Sequence, residues 1–293
     1  ANAIHLAEAL RITAAEAGKL ADAMDFTFLL NPRRRLMSIG FNLQTKKLEP
    51  SCYDLLATES RTAVFIAVAK EDVAQECWFR MGRPHTLTHG SPVLLSWTGT
   101  MFEYLMPTLW MRSYPNTLLD RSRIPVVACQ REYATRNGMP WGISESSYAK
   151  LDDAGNYHYQ AFGIPRLAVS KYESDPLVIS PYSTFLAMPV NSVEALRNLR
   201  RLDRMGVFGA CGFYEAADFS VPDRAQRTNY TLVRSWMAHH QGMTMLALAN
   251  FMCNDVVQRW FHNNRRVQAT ELLLHEKPVS HVPKIRLAGM SAA

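Results

Sequence analysis

Apolar side chains recur at intervals of three and four residues along most of this 293-residue sequence, and this pattern constrains the fold more than any other feature. The interval matches the turn of an α-helix, so each apolar stripe predicts one amphipathic helix. In residues 5–24 the stripe consists of Leu6, Leu10, Ala14, Ala17 and Ala21. The same spacing predicts further helices near 53–68, 71–80, 100–112, 125–137, 182–188, 192–205, 231–250, 255–262 and 266–276.

About ten helices and few strands predict an all-α fold, either a toroid of helical hairpins or an irregular bundle. Ten is fewer than a complete toroid of six hairpins needs. If the fold is a toroid, its first helices lie upstream of this sequence.

Three segments depart from the helical pattern. "RLMSIGFNLQTKKLEP" predicts a short β-hairpin near 36–50. Residues 138–180 are rich in glycine, proline and aromatic side chains, and a connection that long in a compact domain is usually functional. Residues 277–293, which contain proline and no amphipathic period, predict a linker from the domain at 1–276 toward a further C-terminal domain.

Composition excludes several classes of protein. With 48% hydrophobic and 20% charged residues, the chain is globular, and its net charge of +6 comes from local arginine clusters that usually form solvated faces. No nucleic-acid-binding motif accompanies them, so no nucleic-acid partner is predicted. Five cysteines without a CxxC pattern indicate free thiols in a reducing compartment. Without a signal peptide or a membrane span, this piece is expected to be soluble and to face the cytosol, and no cofactor is implied.

Glu59 is the first candidate for chemistry. In "SCYDLLATESR" it is predicted to share an apolar helical stripe with Leu55, Leu56 and Ile66. Burial there raises the pKa of a carboxyl group toward the range of a general acid. The alternative is a structural salt bridge, for example with Arg61.

Three further acids stand beside aromatic residues, namely Glu145 in "WGISESSY", Glu103 in "SWTGTMFEYLMP" and Glu215 in "GFYEAADF". Sugar-binding clefts use this pairing, because an aromatic face packs on a pyranose ring while the carboxylate bonds hydroxyls or reacts. Glycosyl transfer or hydrolysis needs two carboxyl groups. Each acid alone also fits a structural role. For Glu145 that role is a solvated helix cap at Ser144.

"WMAHHQGM" raises the possibility of a metal site, which the spacing does not support. His239 and His240 are adjacent, so on a helix they point about 100° apart and cannot chelate one ion. Hydrogen bonding to sugar hydroxyls or to a catalytic carboxylate suits His-His-Gln better, and a structural role for one histidine is equally compatible.

Taken in order, "YDLLATESR", "SWTGTMFEYLMPTLWMRSYPNTLLD", "PWGISESSY", "GFYEAADF", "MAHHQGM" and "LLLHEKP" resemble the glycoamylase-like domain of bacterial cyclic β-1,2-glucan synthases, from about residue 25 to the end. The resemblance implies an (α/α)6 toroid and a retaining transglycosylation that closes linear β-1,2-glucan into a ring. It also implies two partner domains on the same polypeptide, a membrane glycosyltransferase and a phosphorylase-like domain. The location implied is the cytoplasmic side of the inner membrane.

Residue by residue, the resemblance implies that Glu59 and Glu145 are catalytic. It also implies substrate-binding residues, which are Tyr53, Asp54, Arg61, Trp97, Glu103, Tyr104, Trp141, Tyr214, Glu215, His239, His240 and Gln241. We expect Glu59 to be the acid/base and Glu145 to be a nucleophile whose ionised form is stabilised by Ser144, Ser146 and Ser147. An inverting endo-β-1,2-glucanase and a non-catalytic glucan-binding module remain the alternatives, and a close Glu59–Glu145 pair favours an enzyme.

Overall fold

The computed structural model describes residues 2–88, 90–173 and 176–277. Ten α-helices occur in this part of the chain: α1 (Asn2–Ala23), α2 (Arg61–Ala69), α3 (Glu76–Arg80), α4 (Met101–Leu105), α5 (Leu118–Arg136), α6 (Pro181–Leu186), α7 (Ser192–Arg204), α8 (Ala238–Met252), α9 (Val256–Phe261) and α10 (Arg265–Thr270). Short 3₁₀ helices span Thr27–Leu29, Met106–Leu109, Pro165–Leu167 and Glu271–His275.

Short strands form six small antiparallel sheets within the described ranges. The strands are β1 (Leu30–Asn31), β2 (Leu36–Met37), β3 (Phe41–Asn42), β4 (Lys47–Leu48), β5 (His85–Thr88), β6 (Ser91–Leu94), β7 (Ser146–Leu151), β8 (Tyr157–Gln160), β9 (Val178–Ile179), β10 (Phe208–Gly209), β11 (Gly212–Phe213), β12 (Ala216–Asp218) and β13 (Thr231–Val233). The largest sheet has the order β13-β12-β9, and the others are two-stranded.

The predicted all-α (α/α)6 toroid is wrong. The structure is a mixed α/β fold with 44% helix and 17% strand. The predicted helix at 231–250 begins only at Ala238, because residues 231–233 pair with β12 instead. The expected loop at 138–180 contains the β7–β8 hairpin, whose turn is held by Asp152 accepting hydrogen bonds from the backbone of Ala154 and Asn156. The hairpin predicted near 36–50 is present as β3 paired with β4.

Helix α2 begins eight residues later than its apolar pattern predicts. The Gly82 amide donates to Asp54 O, and the Leu56 amide donates to Gly82 O at 2.9 Å, which keeps residues 54–56 extended. Glu59 therefore lies in the turn before α2 and not on an apolar helical stripe. This long-range backbone pairing overrides the local helix preference.

The core brings the ends of β7, β9 and β12 together. Ala216 and Ala217 on β12 are fully buried, as are Ile179 on β9 and Ile143 in the segment before β7. Burying each of the two isoleucine side chains stabilises the fold by about 1.5–3 kcal/mol. Since Glu145 immediately precedes β7 and Glu215 immediately precedes β12, this packing sets both carboxyl groups at one place in the fold.

Helix α1 lies on the outside of the molecule and has no buried residue. It is attached at its C-terminal end, where the Lys70 ammonium donates to the Ala21 and Asp22 carbonyls and Arg266 pairs with the Asp22 carboxylate at 2.6 Å. Within the described ranges no helix is long and apolar enough to cross a membrane. The predicted linker at 277–293 falls almost wholly outside those ranges and stays a prediction.

Candidate active site

The segment that carries Glu145 is fixed from both sides. Gly142 has φ +122°, and a Cβ there would lie 2.7 Å from the Ser183 hydroxyl, so only glycine fits. The Tyr182 hydroxyl donates to the Glu145 carbonyl at 3.1 Å. Ser144 accepts a hydrogen bond from the Phe102 amide, and its hydroxyl lies 2.8 Å from that of Tyr182. The helix-cap interpretation of Ser144 is therefore wrong, because a strand follows it.

The Glu145 side chain is mostly buried and holds one hydrogen bond, from the Tyr159 hydroxyl to Oε1 at 3.0 Å. Burial raises the pKa of Glu145 to about 7; the Tyr159 bond opposes this rise, and the charges of Glu59 and Glu103 add to it. The serines do not stabilise the ionised form as expected. The Ser147 amide donates to Glu215, and the Ser146 hydroxyl is buried with no partner among the described residues.

Glu59 lies in the turn before α2, where the Thr58 hydroxyl donates to its Oε2 at 3.1 Å. Burial raises the pKa of Glu59, and the nearby charge of Glu103 acts in the same direction. The alternative role predicted for Glu59, a structural salt bridge with Arg61, does not hold this turn together. The Arg61 guanidinium is buried and donates to backbone carbonyls, at 2.7–2.8 Å, of Thr58, Glu103 and Tyr104. Burial lowers the Arg61 pKa to about 10.

Glu59 and Glu145 interact electrostatically. The charge of Glu59 raises the pKa of Glu145. Burial raises the pKa of the Tyr53 hydroxyl, and the charges of Glu59 and Glu145 raise it further. Burial and the same two carboxylates also raise the pKa of Tyr159. Two carboxyl groups whose charges repel each other release their protons one after the other, so the two groups titrate as a coupled pair.

Glu103 has a supporting role in the structure. Its carboxylate is buried and accepts hydrogen bonds from Ser96, Thr98 and Thr100, including a reciprocal capping box with Thr100 at the start of α4. Behind this turn, a Cβ on Gly163 would lie 1.9 Å from Thr98 O. With its oxygens occupied by the protein, Glu103 shapes the turn beside Glu59, and its predicted contact with substrate stays a prediction.

Glu215 and His240 form a buried pair behind Glu145. Glu215 Oε2 lies 2.9 Å from His240 Nδ1, and both side chains are about 1% exposed. Glu215 Oε1 accepts the Ser147 amide at 3.1 Å. The His240 ring stacks on Tyr182 at 3.8 Å. Tyr182 therefore holds the backbone at the Glu145 carbonyl, and Glu215 holds it two residues further on, at the Ser147 amide. We call these three residues, Glu215, His240 and Tyr182, the clamp.

Trp97 and Asp54 form an aromatic platform. The Trp97 indole N–H donates to Asp54 Oδ1 at 3.0 Å, and Arg34 pairs with Asp54 Oδ2 at 2.9 Å. The Trp97 ring remains 42% exposed, so it is available to a ligand.

The remaining aromatic candidates are divided between core and surface. The Tyr104 hydroxyl donates to carbonyls of the core, and Trp141 is buried beside a separate cavity of about 720 Å³. The sequence motif "WGISESSY" suggests Trp141 as the aromatic partner of Glu145 around a sugar ring, and the burial of Trp141 gives no support to that interpretation. Tyr214 packs against Trp236 at 5.0 Å, and His239 is exposed.

Comparison with known proteins identifies the family. Residues 52–265 match the sequence profile Glycoamylase, described as "Putative glucoamylase". The chain belongs to the glycoamylase family. It is 38% identical over 278 residues to "Cyclic beta-(1,2)-glucan synthase NdvB" from Rhizobium meliloti (strain 1021), covering 95% of this chain and 10% of that protein. The resemblance drawn from the motifs is thereby confirmed, and the chain spans about a tenth of that relative's length.

Two solved structures share the fold. An endo-β-1,2-glucanase from Chitinophaga pinensis, in complex with sophorotriose and glucose, has a TM-score of 0.66 at 19% identity, with 90% of this chain and 65% of that chain covered. A β-1,2-glucanase from Parabacteroides distasonis has a TM-score of 0.61 at 15% identity, with 88% and 40% covered. At these identities the likeness establishes the architecture alone.

The candidate site contains two tyrosines that sequence reasoning missed. Tyr159 bonds the Glu145 carboxylate, and Tyr182 bonds its backbone. Tyr159 is the last residue of "NYHY", an alternation of aromatic residues that indicates a strand. In the β7–β8 hairpin this strand places Tyr159 opposite Ser147, two residues from Glu145. In the described ranges no cluster of three or more His, Cys, Asp or Glu could hold a metal ion.

The raised pKa of Glu145 predicts a pH-dependent stability. The folded chain binds the Glu145 proton more tightly than the unfolded chain, so this stabilisation is complete below pH 4.5 and is lost as the pH rises to about 7. Across that window we expect the Glu145 group to lower the free energy of unfolding by up to about 3 kcal/mol. Denaturant titrations at pH 4.5 and at about pH 7 measure the free energy of unfolding. Its fall between these two pH values should be smaller in Glu145→Gln than in the unchanged chain. In Glu8→Gln, whose side chain lies on exposed α1, the fall should equal that of the unchanged chain. An equal fall in Glu145→Gln contradicts this account.

Proposed function

We propose that this chain is a transglycosylase segment that acts on linear β-1,2-glucan and closes it into a ring with retention of anomeric configuration. The observation that carries the proposal is the interacting pair of buried carboxyl groups, Glu59 and Glu145, both with raised pKa values. The substrate class is supported by the relative named as a cyclic β-(1,2)-glucan synthase and by the β-1,2-glucanase fold neighbours. In the larger polypeptide, the partners would be a membrane glycosyltransferase domain and a phosphorylase-like domain on the cytoplasmic side of the inner membrane.

In the first step Glu59 donates its proton to the glycosidic oxygen while Glu145 attacks the anomeric carbon, which expels the reducing-end fragment and forms a glycosyl ester. In the second step ionised Glu59 takes the proton of the terminal 2-hydroxyl at the other end of the same chain. That oxygen displaces Glu145 and closes a β-1,2 linkage. Each displacement inverts the anomeric carbon, so the product retains the original configuration.

Two features support this assignment of roles. The hydrogen bond from Tyr159 stabilises the ionised form of Glu145, as a nucleophile requires. A glycosidic oxygen bound at Glu59 would accept a hydrogen bond from the protonated form of that carboxyl group, which favours the protonated form that a general acid requires. Such a retaining pair has its carboxyl groups about 5–5.5 Å apart when the substrate is bound.

The direct test is a product analysis. The purified chain is incubated with linear β-1,2-glucan, and the products are read by mass spectrometry. A ring weighs one water less than the linear chain of the same number of glucosyl units, so cyclic product appears as a separate series that the Glu59→Gln variant lacks. If the products are only shorter linear chains, they support the second candidate, an endo-β-1,2-glucanase, which the Chitinophaga pinensis fold neighbour named as such favours. Binding of the glucan without any turnover would support the remaining alternative, a non-catalytic glucan-binding module.

Substrate specificity should depend on the Trp97 platform. We expect linear β-1,2-glucan to be used at least about tenfold more efficiently than maltooligosaccharides. Trp97→Ala should raise KM several-fold with little change in kcat, because the ring contributes binding that is common to the ground state and the transition state. Trp260→Ala is the matched control, since that indole is 69% exposed outside the site. Initial rates over a range of substrate concentrations measure both. Equal use of maltooligosaccharides refutes the predicted specificity.

A further inference from the structure

The segment 141–145, which ends at the proposed nucleophile, belongs to no helix or strand, yet its backbone is bonded on both sides. On the side of β9, Gly142 O accepts the Ser180 amide at 2.9 Å. On the other side, two side-chain amides take the place of a neighbouring strand. They are Gln130 on α5 and Asn198 on α7, and both are buried.

Each amide pairs with both backbone groups of one residue. Gln130 Oε1 accepts the Ile143 N–H at 3.0 Å, and its Nε2 donates to Ile143 O at 2.9 Å. Asn198 pairs with Trp141 in the same way, at 3.2 and 2.8 Å, and its Nδ2 also donates to the Thr184 hydroxyl on α6 at 2.9 Å. A side-chain amide, like a peptide group, carries one oxygen acceptor and one nitrogen donor. The backbone partners fix its orientation, because the N–H must meet the oxygen and the C=O the nitrogen.

We propose that Gln130 and Asn198 are positioning residues for the glycosyl transfer, which hold the backbone that places Glu145 for attack. Ile143 precedes Glu145 by two residues, so this anchor acts over at most about 7 Å of chain. Gln130 is 0% and Asn198 4% exposed, so neither contacts the substrate. Misplacing a reacting group by about 1 Å can lower the rate about 10²-fold. The inference rests on the proposed function, which makes Glu145 the nucleophile.

Substitutions of similar size test this role. Gln130→Met and Asn198→Leu lose the paired hydrogen bonds, and each should lower kcat on linear β-1,2-glucan by about 10²-fold with KM within about twofold. Asn250→Leu is the matched control, because Asn250 is also buried and bonds the backbone of Leu109 and Val257 near the C-terminal end of α8. In denaturant titrations it should lower the free energy of unfolding as the other two do, yet its kcat should stay within about threefold of the unchanged chain.

Azide separates the positioning of Glu145 from a general loss of structure. In Glu145→Gln, azide attacks the anomeric carbon while Glu59 protonates the leaving oxygen, so the exact place of residue 145 no longer matters. Adding Gln130→Met to Glu145→Gln should therefore change the azide-supported rate by less than about threefold, although Gln130→Met alone lowers kcat about 10²-fold. A general structural defect would lower both rates.

The titration of Glu145 gives a readout that needs no turnover. Burial is the largest cause of the raised pKa of Glu145, and a loosened segment would admit water to this carboxyl group. Its carbon-13 NMR signal is assigned by its absence in Glu145→Gln. Gln130→Met should lower the pKa of Glu145 from about 7 to about 6 or below, and Asn250→Leu should leave it unchanged.

The outcomes separate this inference from the proposed reaction. If the unchanged chain cyclises glucan and neither Gln130→Met nor Asn198→Leu lowers kcat, the positioning role is overturned and the reaction stands. If the unchanged chain has no turnover, the reaction is overturned, and an unaltered pKa of Glu145 in Gln130→Met would overturn the positioning role as well. An equal loss of kcat in Asn250→Leu, a change confined to KM, or an equal loss of the azide-supported rate would each reject positioning. If neither variant folds, Gln130→Asn, whose amide is one methylene too short to reach Ile143, is tested against the same expectations.

Discussion

Replacing Glu59 or Glu145 by glutamine should lower turnover of linear β-1,2-glucan by about 10³-fold or more, because the amide can neither transfer the proton nor form the glycosyl ester. Glutamine preserves the shape of each side chain, so the fold should persist. Glu8→Gln on exposed α1 is the control and should retain full activity. Initial rates with matched protein concentrations give the comparison. Near-normal cyclisation by either variant removes that residue from the mechanism.

Azide distinguishes the two roles. If Glu145 is the nucleophile, azide added to Glu145→Gln attacks the substrate directly and yields a glycosyl azide of inverted configuration. In Glu59→Gln the ester on Glu145 still forms from a substrate with a good leaving group, and azide then displaces it to give the retained anomer. Proton NMR of the azide products identifies each anomer. The opposite pair of products would exchange the roles of the two glutamates.

The clamp supplies the second large effect. Glu215→Ala removes both the bond to His240 and the bond to the Ser147 amide, so we expect kcat to fall by about 10²-fold while KM changes little, as a small displacement of Glu145 would cause. Glu215→Gln keeps an acceptor for the Ser147 amide and should recover part of kcat. Steady-state kinetics of both variants, with denaturant unfolding to confirm that they fold, measure the effect.

The same measurement tests the original interpretation of Glu215 as a cleft residue. If Glu215→Ala raises KM strongly and leaves kcat intact, Glu215 contacts the substrate and does not position Glu145. If Glu215→Gln recovers none of the lost kcat, catalysis needs the negative charge of the Glu215 carboxylate in addition to its hydrogen bond with the Ser147 amide.

Sequence motifs predicted the family and named the pair Glu59 and Glu145, because both stand in long ordered motifs. The sequence also placed Glu145 in a non-helical segment, since Gly142 inside "WGISESSY" and Pro140 just before it disfavour a helix. The position of Glu59 was wrong, because the pairing of residues 54–56 with Gly82 is a long-range contact that local periodicity does not encode. The apolar side chains in this part of the sequence are buried against the core from a turn, and they do not form a helical stripe.

The hydrogen-bond partners of Glu145 were missed because they too come from segments that are distant in the sequence. Tyr159 and Tyr182 reach it through a hairpin and through the start of α6, and neither is near it in sequence. The all-α prediction failed because the strands of two to six residues are too short for alternation to register against the helical pattern around them. Glu103 and Glu215 stand beside aromatic residues in the sequence, as Glu145 does. Their carboxylates are nevertheless buried and hydrogen-bonded within the protein.

The anomeric configuration of the first products tests the central claim most directly. In proton NMR spectra taken before mutarotation, the unchanged chain acting on linear β-1,2-glucan in the presence of an acceptor alcohol should form β-linked products only, since two displacements at Glu145 restore the starting configuration. The Glu59→Gln and Glu145→Gln variants should form none. An initial α-configured product from the unchanged chain would show a single displacement by water and would contradict the double displacement at Glu145.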